Sequence, residues 1–230
     1  MPIVFTALSP HPPIILPSVG SKEDRKKVKN TIDALYLLRK KFVEVDPQQI
    51  LIASPHPDWG FQVPLYFLAK DFRGRIEEIL IGSESPQFYF EKGTKFQITE
   101  FAVGQTKGKK RFISSPSNFQ FPNKPQITNP KIALIASGDL SHCLKKDGPY
   151  GFHPDGPKFD EEFLESLKKK DIESILKLDQ KYPQAGECGL RPLCFVLGIL
   201  EASGADWQPE ILSYEGPFGV GYSVVNFNLK

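Results

Sequence analysis

Short aliphatic runs recur along the chain, separated by longer segments with helical periodicity. Three of these runs occupy residues 3–8, 49–53 and 131–137, and each is closed by a serine that precedes proline or glycine. Continuous apolar runs of this length, bounded by turn signals, are typical of buried strands. The three runs therefore predict the central strands of an α/β fold.

The segment between the first two runs predicts a helix. Ser21 and the acidic residues after it form a helix start, and apolar residues then keep a helical period to about Val45. Pro47 ends this helix. A strand, a helix and a second strand in one short stretch make a βαβ unit, so the strands at 3–8 and 49–53 should be parallel.

Weaker patterns complete the predicted elements. They are a short helix at 61–69 broken near Pro64, an apolar-ended segment at 76–81, a helix at 158–178 split near Lys170, an apolar helix from Leu190, and strands at 211–220 and 222–229. Residues 83–130 are polar with recurrent phenylalanine, which predicts short strands at 87–90, 95–98 and 111–113. We interpret this segment as an elaboration of the sheet within one domain, residues 1–230.

Composition excludes several classes of protein. The chain has 29 basic and 27 acidic residues, and this near balance argues against nucleic-acid binding, which calls for a concentrated basic surface. No apolar stretch reaches the length of about 18 residues that a membrane span needs. The three cysteines form no C-x-x-C pair, and the N-terminus has no signal-peptide pattern. A cytoplasmic protein without membrane or nucleic-acid partners is expected.

Histidines follow the predicted strands. The chain has four histidines, and three of them, His11, His56 and His142, come just after the three aliphatic runs. Ligands of open α/β sheets bind outside the carboxyl ends of the strands, so these side chains are expected to meet. A single histidine at a strand end is more often structural or exposed. Three of four at such positions predict a joint site.

Two histidines and one carboxylate form the facial triad of non-haem Fe(II) oxygenases. His11 and His56 supply the nitrogens, and Glu187, flanked by Gly186 and Cys188 in an apolar setting, supplies the carboxylate. His142 is then free for general acid–base work. Glu187 is equally compatible with a helix-start carboxylate. The cysteines beside His142 and Glu187 are interpreted as small buried residues, and Asp58 and Asp139 as turn formers or partners of a ligand histidine.

The ordered set of motifs resembles the catalytic-subunit family of class III extradiol ring-cleavage dioxygenases, of the protocatechuate 4,5-dioxygenase β-subunit type. The motifs are Ser-Pro-His11-Pro-Pro, Ser-Pro-His56-Pro-Asp, Ser-Gly-Asp-Leu-Ser-His142, Gly-Phe-His-Pro-Asp-Gly-Pro from residue 151, Gly-Glu187-Cys-Gly and Tyr-Glu-Gly-Pro-Phe-Gly-Val-Gly-Tyr222. The resemblance extends nearly from end to end.

The resemblance implies a three-layer α/β/α fold with a central mixed, partly parallel sheet. It also implies Fe(II) bound by His11, His56 and Glu187, with His142 as the acid–base residue, acting on O2 and a catechol-like or 2-aminophenol-like ring. A homodimer is expected on the same basis, and Tyr150, Phe152 and His153 are candidates for lining the pocket.

Two alternatives stay open from the sequence. A Zn-dependent hydrolase would use the same ligands, because two histidines and a glutamate suit zinc nearly as well, and zinc is an expected metal in the purified protein. A related branch, the Memo-like proteins, shares the fold and has a cysteine at the third metal position. By that likeness the chain would be a non-enzymatic metal-binding or interaction protein. Glu187 and the string ending at His142 favour the dioxygenase side.

Overall fold

A six-stranded sheet forms the middle layer of the protein. We describe residues 2–96 and 129–230 of a computed structural model. The strands are β1 (Ile3–Ser9), β2 (Gln49–Ser54), β3 (Arg75–Leu80), β4 (Ile132–Ser137), β5 (Trp207–Glu215) and β6 (Tyr222–Leu229). Their order is β3-β2-β4-β1-β6-β5. The first four strands are mutually parallel, and β6 runs antiparallel to both β1 and β5.

Helices cover both faces of this sheet. They are α1 (Lys22–Lys27), α2 (Lys29–Val45), α3 (Trp59–Leu68), α4 (Pro86–Thr94), α5 (Asp155–Lys168), α6 (Ile172–Leu176), α7 (Leu178–Lys181) and α8 (Leu190–Ser203), with a 3-10 turn at Pro13–Ile15. Among the described residues, no helix combines the length and the apolar character required to cross a membrane.

Side chains of the central strands alternate between two apolar cores. Along β2, Ile50 and Ile52 pack in the core shared with α2 and α3, whereas Leu51 and Ala53 pack in the core shared with α5 to α8. This alternation follows from the two-residue period of a strand, and burial on both faces explains why the runs are continuously apolar. The three-layer α/β/α prediction, with a mixed and partly parallel sheet, is confirmed.

The first predicted helix is divided in the structure. Ser21 caps α1 through a capping box, in which its hydroxyl accepts from the Asp24 amide at 3.0 Å. Val28 then leaves the helical region, with φ −112° and ψ 30°, and α2 begins at the next residue. Val28 is fully buried, so tertiary packing decides this break.

The predicted strand at 87–90 is wrong, because these residues belong to α4. The Ser85 hydroxyl accepts from the Phe88 amide at 3.1 Å, and Pro86 occupies the first turn, so a strong helix start precedes the aromatic run. Of the segment predicted as a strand at 95–98, only residues 95 and 96 are described, and they follow α4 without forming a strand. The strand predicted at 111–113 lies outside the described residues. The single-domain reading and the role of residues 83–130 stay predictions.

The other elements differ from expectation mainly at their ends. The predicted split near Lys170 is confirmed, since Lys170 has a φ of 57° and Asp171 caps α6 through the Ser174 amide at 3.0 Å. Strand β5 begins at Trp207 and ends at Glu215, earlier than the predicted 211–220 at both ends. The Trp207 ring is buried against Phe227, and this packing draws the strand start toward the N-terminus.

The closest helix pair is formed by α4 and α8, which meet through two glycines. A Cβ on Gly198 would overlap the backbone carbonyl of Phe90, and one on Gly93 would overlap that of Phe195. The missing side chains let the two backbones touch, so this approach depends on glycine itself.

We expect Gly198→Ala to lower the free energy of unfolding by about 1–3 kcal/mol through overpacking, despite alanine's better helix propensity. The control is Ala202→Gly on the exposed face of α8, which should cost about 1 kcal/mol from propensity alone. Urea denaturation of both variants measures the two effects. A stabilised Gly198→Ala protein would contradict the close approach.

Candidate metal centre

Three adjacent parallel strands end at one edge of the sheet. Strands β2, β4 and β1 are neighbours in that order, and each ends in a serine: Ser54, Ser137 and Ser9. Because Ser9 lies opposite Ser137 in the register, the turns that follow leave the sheet at the same level. His11, His56 and His142 stand on these turns, and the structure brings all three to a single cavity.

Three donor side chains meet beside this cavity, which His11 and His56 line. The His11 and His56 ring centroids lie 5.2 Å apart, and the Cys188 Sγ atom lies 3.5 Å from His11 Nε2. One donor atom from each of His11, His56 and Cys188 falls within 4.8 Å of the other two. Imidazole and thiolate are both good ligands of transition metals, so this donor set fits a metal ion.

The tautomer of His11 follows from its partner Ser137. The Ser137 hydroxyl donates to the Gly60 carbonyl, which can only accept. It therefore accepts from His11 Nδ1 at 3.0 Å, so the ring proton is on Nδ1. The His11 Nε2 lone pair is left free toward Cys188, as metal ligation requires.

A proline inside α3 explains why the Gly60 carbonyl is free to accept from Ser137. Pro64 lies inside α3 and has no amide hydrogen, so the carbonyl of Gly60, four residues earlier, has no helical donor. The Ser137 hydroxyl takes that place. The proline that disfavours a regular helix in the sequence thus helps to orient the ring of His11, a candidate metal ligand.

Burial keeps the His11 ring neutral. Desolvation, and secondarily the nearby His56, lower the pKa of His11 to about 3. A neutral imidazole is the form that binds metals, so His11 needs no deprotonation at physiological pH.

Asp139 connects the turns that carry the donors. Its carboxylate accepts from the His11 backbone amide at 2.9 Å, and its own amide donates to Cys188 Sγ at 3.2 Å. Its carbonyl accepts from the amides of Cys188 and Gly189. A Cβ on Gly138 would overlap Gly189, so glycines at both positions allow the two turns to touch. Asp139, His142 and Cys188 form a second group of donors within 4.8 Å.

Burial also shifts the acidic groups of the centre. It raises the pKa of Asp139 to about 6 and raises that of the Cys188 thiol well above its usual range, with Asp139 adding to the second shift. A bound cation reverses this effect because it stabilises the anionic forms of its neighbours. The protonated thiol would therefore release its proton on metal binding.

Glu187 lies elsewhere in the structure. Its side chain is 7 % exposed, and its carboxylate accepts from the Leu190 amide at 2.6 Å and from Arg191 Nη1 at 3.1 Å. Desolvation raises its pKa to about 7. The structure does not bring Glu187 into either donor group and places it at the start of α8. Its assignment as a metal ligand stays a prediction.

His142 carries an atom that lacks a partner. Its Nε2 is buried without a hydrogen bond to any described residue, and its ring packs on Tyr150 with centroids 4.9 Å apart. Burial lowers the pKa of His142, while Asp139 acts in the opposite direction. His142 lines the cavity, so this Nε2 atom is a candidate contact for a polar atom of a ligand.

Contacts behind His142 hold its backbone in place. Its amide donates to the Ala185 carbonyl at 3.2 Å. The preceding amide, of Ser141, donates to the Asp160 carboxylate at 2.8 Å, and Tyr214 donates to the other oxygen of that carboxylate at 2.6 Å. Burial raises the pKa of Asp160 to about 7. The turn that presents His142 is therefore anchored to α5 and β5.

The cavity above the donors has a volume of about 670 Å³ and mostly apolar walls. Aromatic and proline side chains form these walls: Pro12, Pro13, Pro57, Trp59, Pro149, Tyr150, Phe218 and Tyr222. Of the three residues expected to line a pocket, Tyr150 does so. Phe152 instead pairs with Leu144 in a β-bridge, and His153 Nδ1 accepts from the Asp155 amide at 3.2 Å.

Sequence reasoning missed Cys188 and Ser137. Cys188 is next to Glu187, which the sequence analysis favoured as the third metal ligand. Only the direction of each side chain on the turn distinguishes the two residues. Ser137 closes an aliphatic run like Ser9 and Ser54 do, and nothing in the sequence shows that it faces a histidine ring. The Memo-like cysteine at the third metal position was the available signal for Cys188.

We expect Ser137→Ala to weaken Zn²⁺ binding about 10- to 100-fold, because His11 loses the group that orients its ring. The matched control is Ser9→Ala, since Ser9 is a buried strand-end serine that donates to the Pro10 carbonyl and, among the described residues, hydrogen-bonds to no histidine. Competition with a chromophoric chelator measures affinity, and thermal unfolding measures stability. Equal affinity in both variants would refute the role of Ser137.

Comparisons with known proteins agree with the motifs. The sequence model of the family described as "Catalytic LigB subunit of aromatic ring-opening dioxygenase" matches residues 124–225. Protein CA_C1420 of Clostridium acetobutylicum is 32% identical over 264 residues, which cover 95% of this chain and 56% of that protein. The chain thus spans about half the length of this curated relative.

A solved structure has the same fold. The uncharacterized protein JW3007 from Escherichia coli K12 aligns with a TM-score of 0.56 and 14% identity, over 98% of this chain and 100% of that chain. At this identity the likeness concerns the fold alone. The similarity to the LigB family, the catalytic subunits of aromatic ring-opening dioxygenases, concerns residues 124–225. These residues contain the strand, the turn and the helix that present His142 and Cys188.

Proposed function

We propose that the protein is a metal-dependent ring-opening dioxygenase that inserts O2 into a catechol-like or 2-aminophenol-like ring. The observation that carries this proposal is that His11, His56 and Cys188 come together beside an aromatic-walled cavity, which is also lined by His142, whose Nε2 bonds to no described residue. The family match over residues 124–225 supports the class of reaction.

His11, His56 and Cys188 would hold the metal in this proposal, with Fe(II) as the expected ion. Bound Fe(II) supplies Lewis acidity toward two adjacent ring heteroatoms and one-electron chemistry toward dioxygen. We favour Cys188 over Glu187 as the third ligand because the Glu187 carboxylate is occupied by the Leu190 amide and by Arg191.

The protein side chains bind, orient and move a proton. Tyr150 and Trp59 offer flat apolar faces to a ring, and the cavity volume of about 670 Å³ suits a ligand of one or two rings. A ring hydroxyl placed near His142 Nε2 can pass its proton to that atom, because burial keeps the imidazole neutral and ready to accept. The same imidazolium can return the proton later in the reaction.

A second candidate function is favoured by Cys188 itself. A thiolate ligand is soft and suits Zn²⁺ or Cu⁺, whereas the oxygenase triad has a carboxylate in this place. The alternative is a metal-binding protein of the Memo-like kind that opens no ring. The two candidates share the same donors and differ in oxygen consumption.

Metal content distinguishes the two residues proposed as third ligand. We expect Cys188→Ser to lose at least about tenfold in metal affinity, since the variant lacks the thiolate that would bind the metal directly. Glu187→Gln should keep that affinity and lose part of the folding stability, because the amide preserves the shape but weakens the bond to Arg191. Metal analysis after anaerobic loading and dialysis reads out both. Metal loss in Glu187→Gln with retention in Cys188→Ser would instead make Glu187 the ligand.

Oxygen uptake tests the reaction. Anaerobically Fe(II)-loaded protein, mixed with a panel of catechols and 2-aminophenols in oxygenated buffer, should consume oxygen and yield a yellow ring-opened product. We expect His142→Ala to retain its metal and to lose about 10²- to 10⁴-fold in turnover, as removal of a general acid–base group does.

Two outcomes would contradict these assignments. Metal loss in His142→Ala would show that His142 is a ligand rather than a proton acceptor. Tight metal binding with no oxygen uptake across the panel would favour the metal-binding alternative.

A further inference from the structure

The mouth of the cavity carries the carboxylate of Asp58. Asp58 lines the cavity directly before α3, and it is exposed. Its side chain does not cap that helix, and it forms no ion pair or hydrogen bond with any residue in the described ranges. A free carboxylate at the rim of a pocket is available to a ligand charge.

Aromatic faces flank this carboxylate. Trp59, next to Asp58, is 44 % exposed, and Tyr150 is 64 % exposed, and both line the cavity. The faces of such rings attract cations, with indole the strongest. A carboxylate beside an exposed indole is a common way to bind an ammonium group.

Positive charge is scarce along the walls. Among the described residues that line the cavity there are two aspartates and no lysine or arginine. Two lysines lie close to one wall, although neither is among the residues that line the cavity. Lys27 Nζ lies 5.6 Å from the Phe218 ring centroid, and Lys145 Nζ donates to the Pro217 carbonyl at 2.9 Å.

The N-terminus of α3 brings some positive charge to the mouth of the cavity. A helix N-terminus carries about half a positive charge. Asp58 itself brings a full negative charge to that position, which is larger than the partial charge of the helix terminus.

We propose that the Asp58 carboxylate and the Trp59 ring select a ring that carries an ammonium group on a short side chain, and disfavour one that carries a carboxylate. This inference rests on the proposed function in one respect, namely that the cavity takes an aromatic ring. It adds the charge of the substituent, which the donor residues do not determine.

Binding of three matched catechols tests the proposal. They differ only in the group at ring position 4, which is 2-aminoethyl, ethyl or 2-carboxyethyl. Dissociation constants are measured anaerobically on metal-loaded protein through quenching of Trp59 fluorescence. The second of the two tryptophans, Trp207, is 1 % exposed and remote from the cavity lining, so it gives a constant background. Calorimetry checks each constant independently.

We expect the amine to bind about tenfold more tightly than the carboxylate, with the ethyl compound between them, as one exposed ion pair and one cation–π contact allow. Asp58→Asn should bring the amine and the carboxylate to within about twofold and leave the ethyl compound unchanged. Asp71→Asn is the control, because it removes the same charge at an exposed position outside this cavity. Added salt should reduce the preference in wild type but not in Asp58→Asn.

The outcomes separate this inference from the proposed function. Equal binding of the three catechols, or a preference that survives in Asp58→Asn, would overturn the inference even if oxygen is consumed. Amine preference without oxygen uptake would refute the proposed function and leave the inference standing. No binding by any of the three would overturn it as well.

Discussion

The contact between the Ser137 hydroxyl and the His11 ring is the constraint on which the candidate centre depends. It requires β1 and β4 to be adjacent, parallel and in the observed register, since the two residues stand on the ends of these strands. It also requires the Gly60 carbonyl, which α3 leaves free because Pro64 has no amide hydrogen. A strand register, a helix and a proline thus jointly determine the direction of one nitrogen lone pair.

The electrostatics of the centre follow from the same burial. Desolvation favours neutral forms, so His11 is unprotonated while Asp139 and Cys188 resist ionisation. A metal ion offsets the cost of ionising the thiol, which couples metal binding to proton release. The upper part of the cavity is open and aromatic. It would contact an aromatic ligand through its shape and its surface charge, separately from the donor residues.

Helix α8 connects the core to the centre. Its apolar faces are buried against the sheet and α4. The glycine contact between α4 and α8 determines how closely the two helices approach each other. The turn before α8 carries Cys188 toward the cavity and Glu187 toward Arg191. A carboxylate that accepts from the first helical amides is favoured at a helix start. Glu187 therefore has a structural reason for its position that involves no metal, and the neighbouring thiol is left to face the histidines.

The sequence by itself determined the layered architecture. Apolar runs and helical periods depend on local side-chain spacing, and they identified β1, β2 and β4, the split near Lys170 and the three histidines at strand ends. Motif order predicted the family that the comparison finds over residues 124–225. Tertiary structure alone decided the break at Val28 and which of the neighbours Glu187 and Cys188 lies beside the histidines. Adjacent residues on a turn point in different directions, and that direction is set by contacts with Asp139 and Arg191, which lie 49 residues before Cys188 and four after Glu187 in the chain. The Glu187–Arg191 pair follows the local i,i+4 spacing of a helix, but local pattern carries no information about the contact between Asp139 and Cys188, which packing determines.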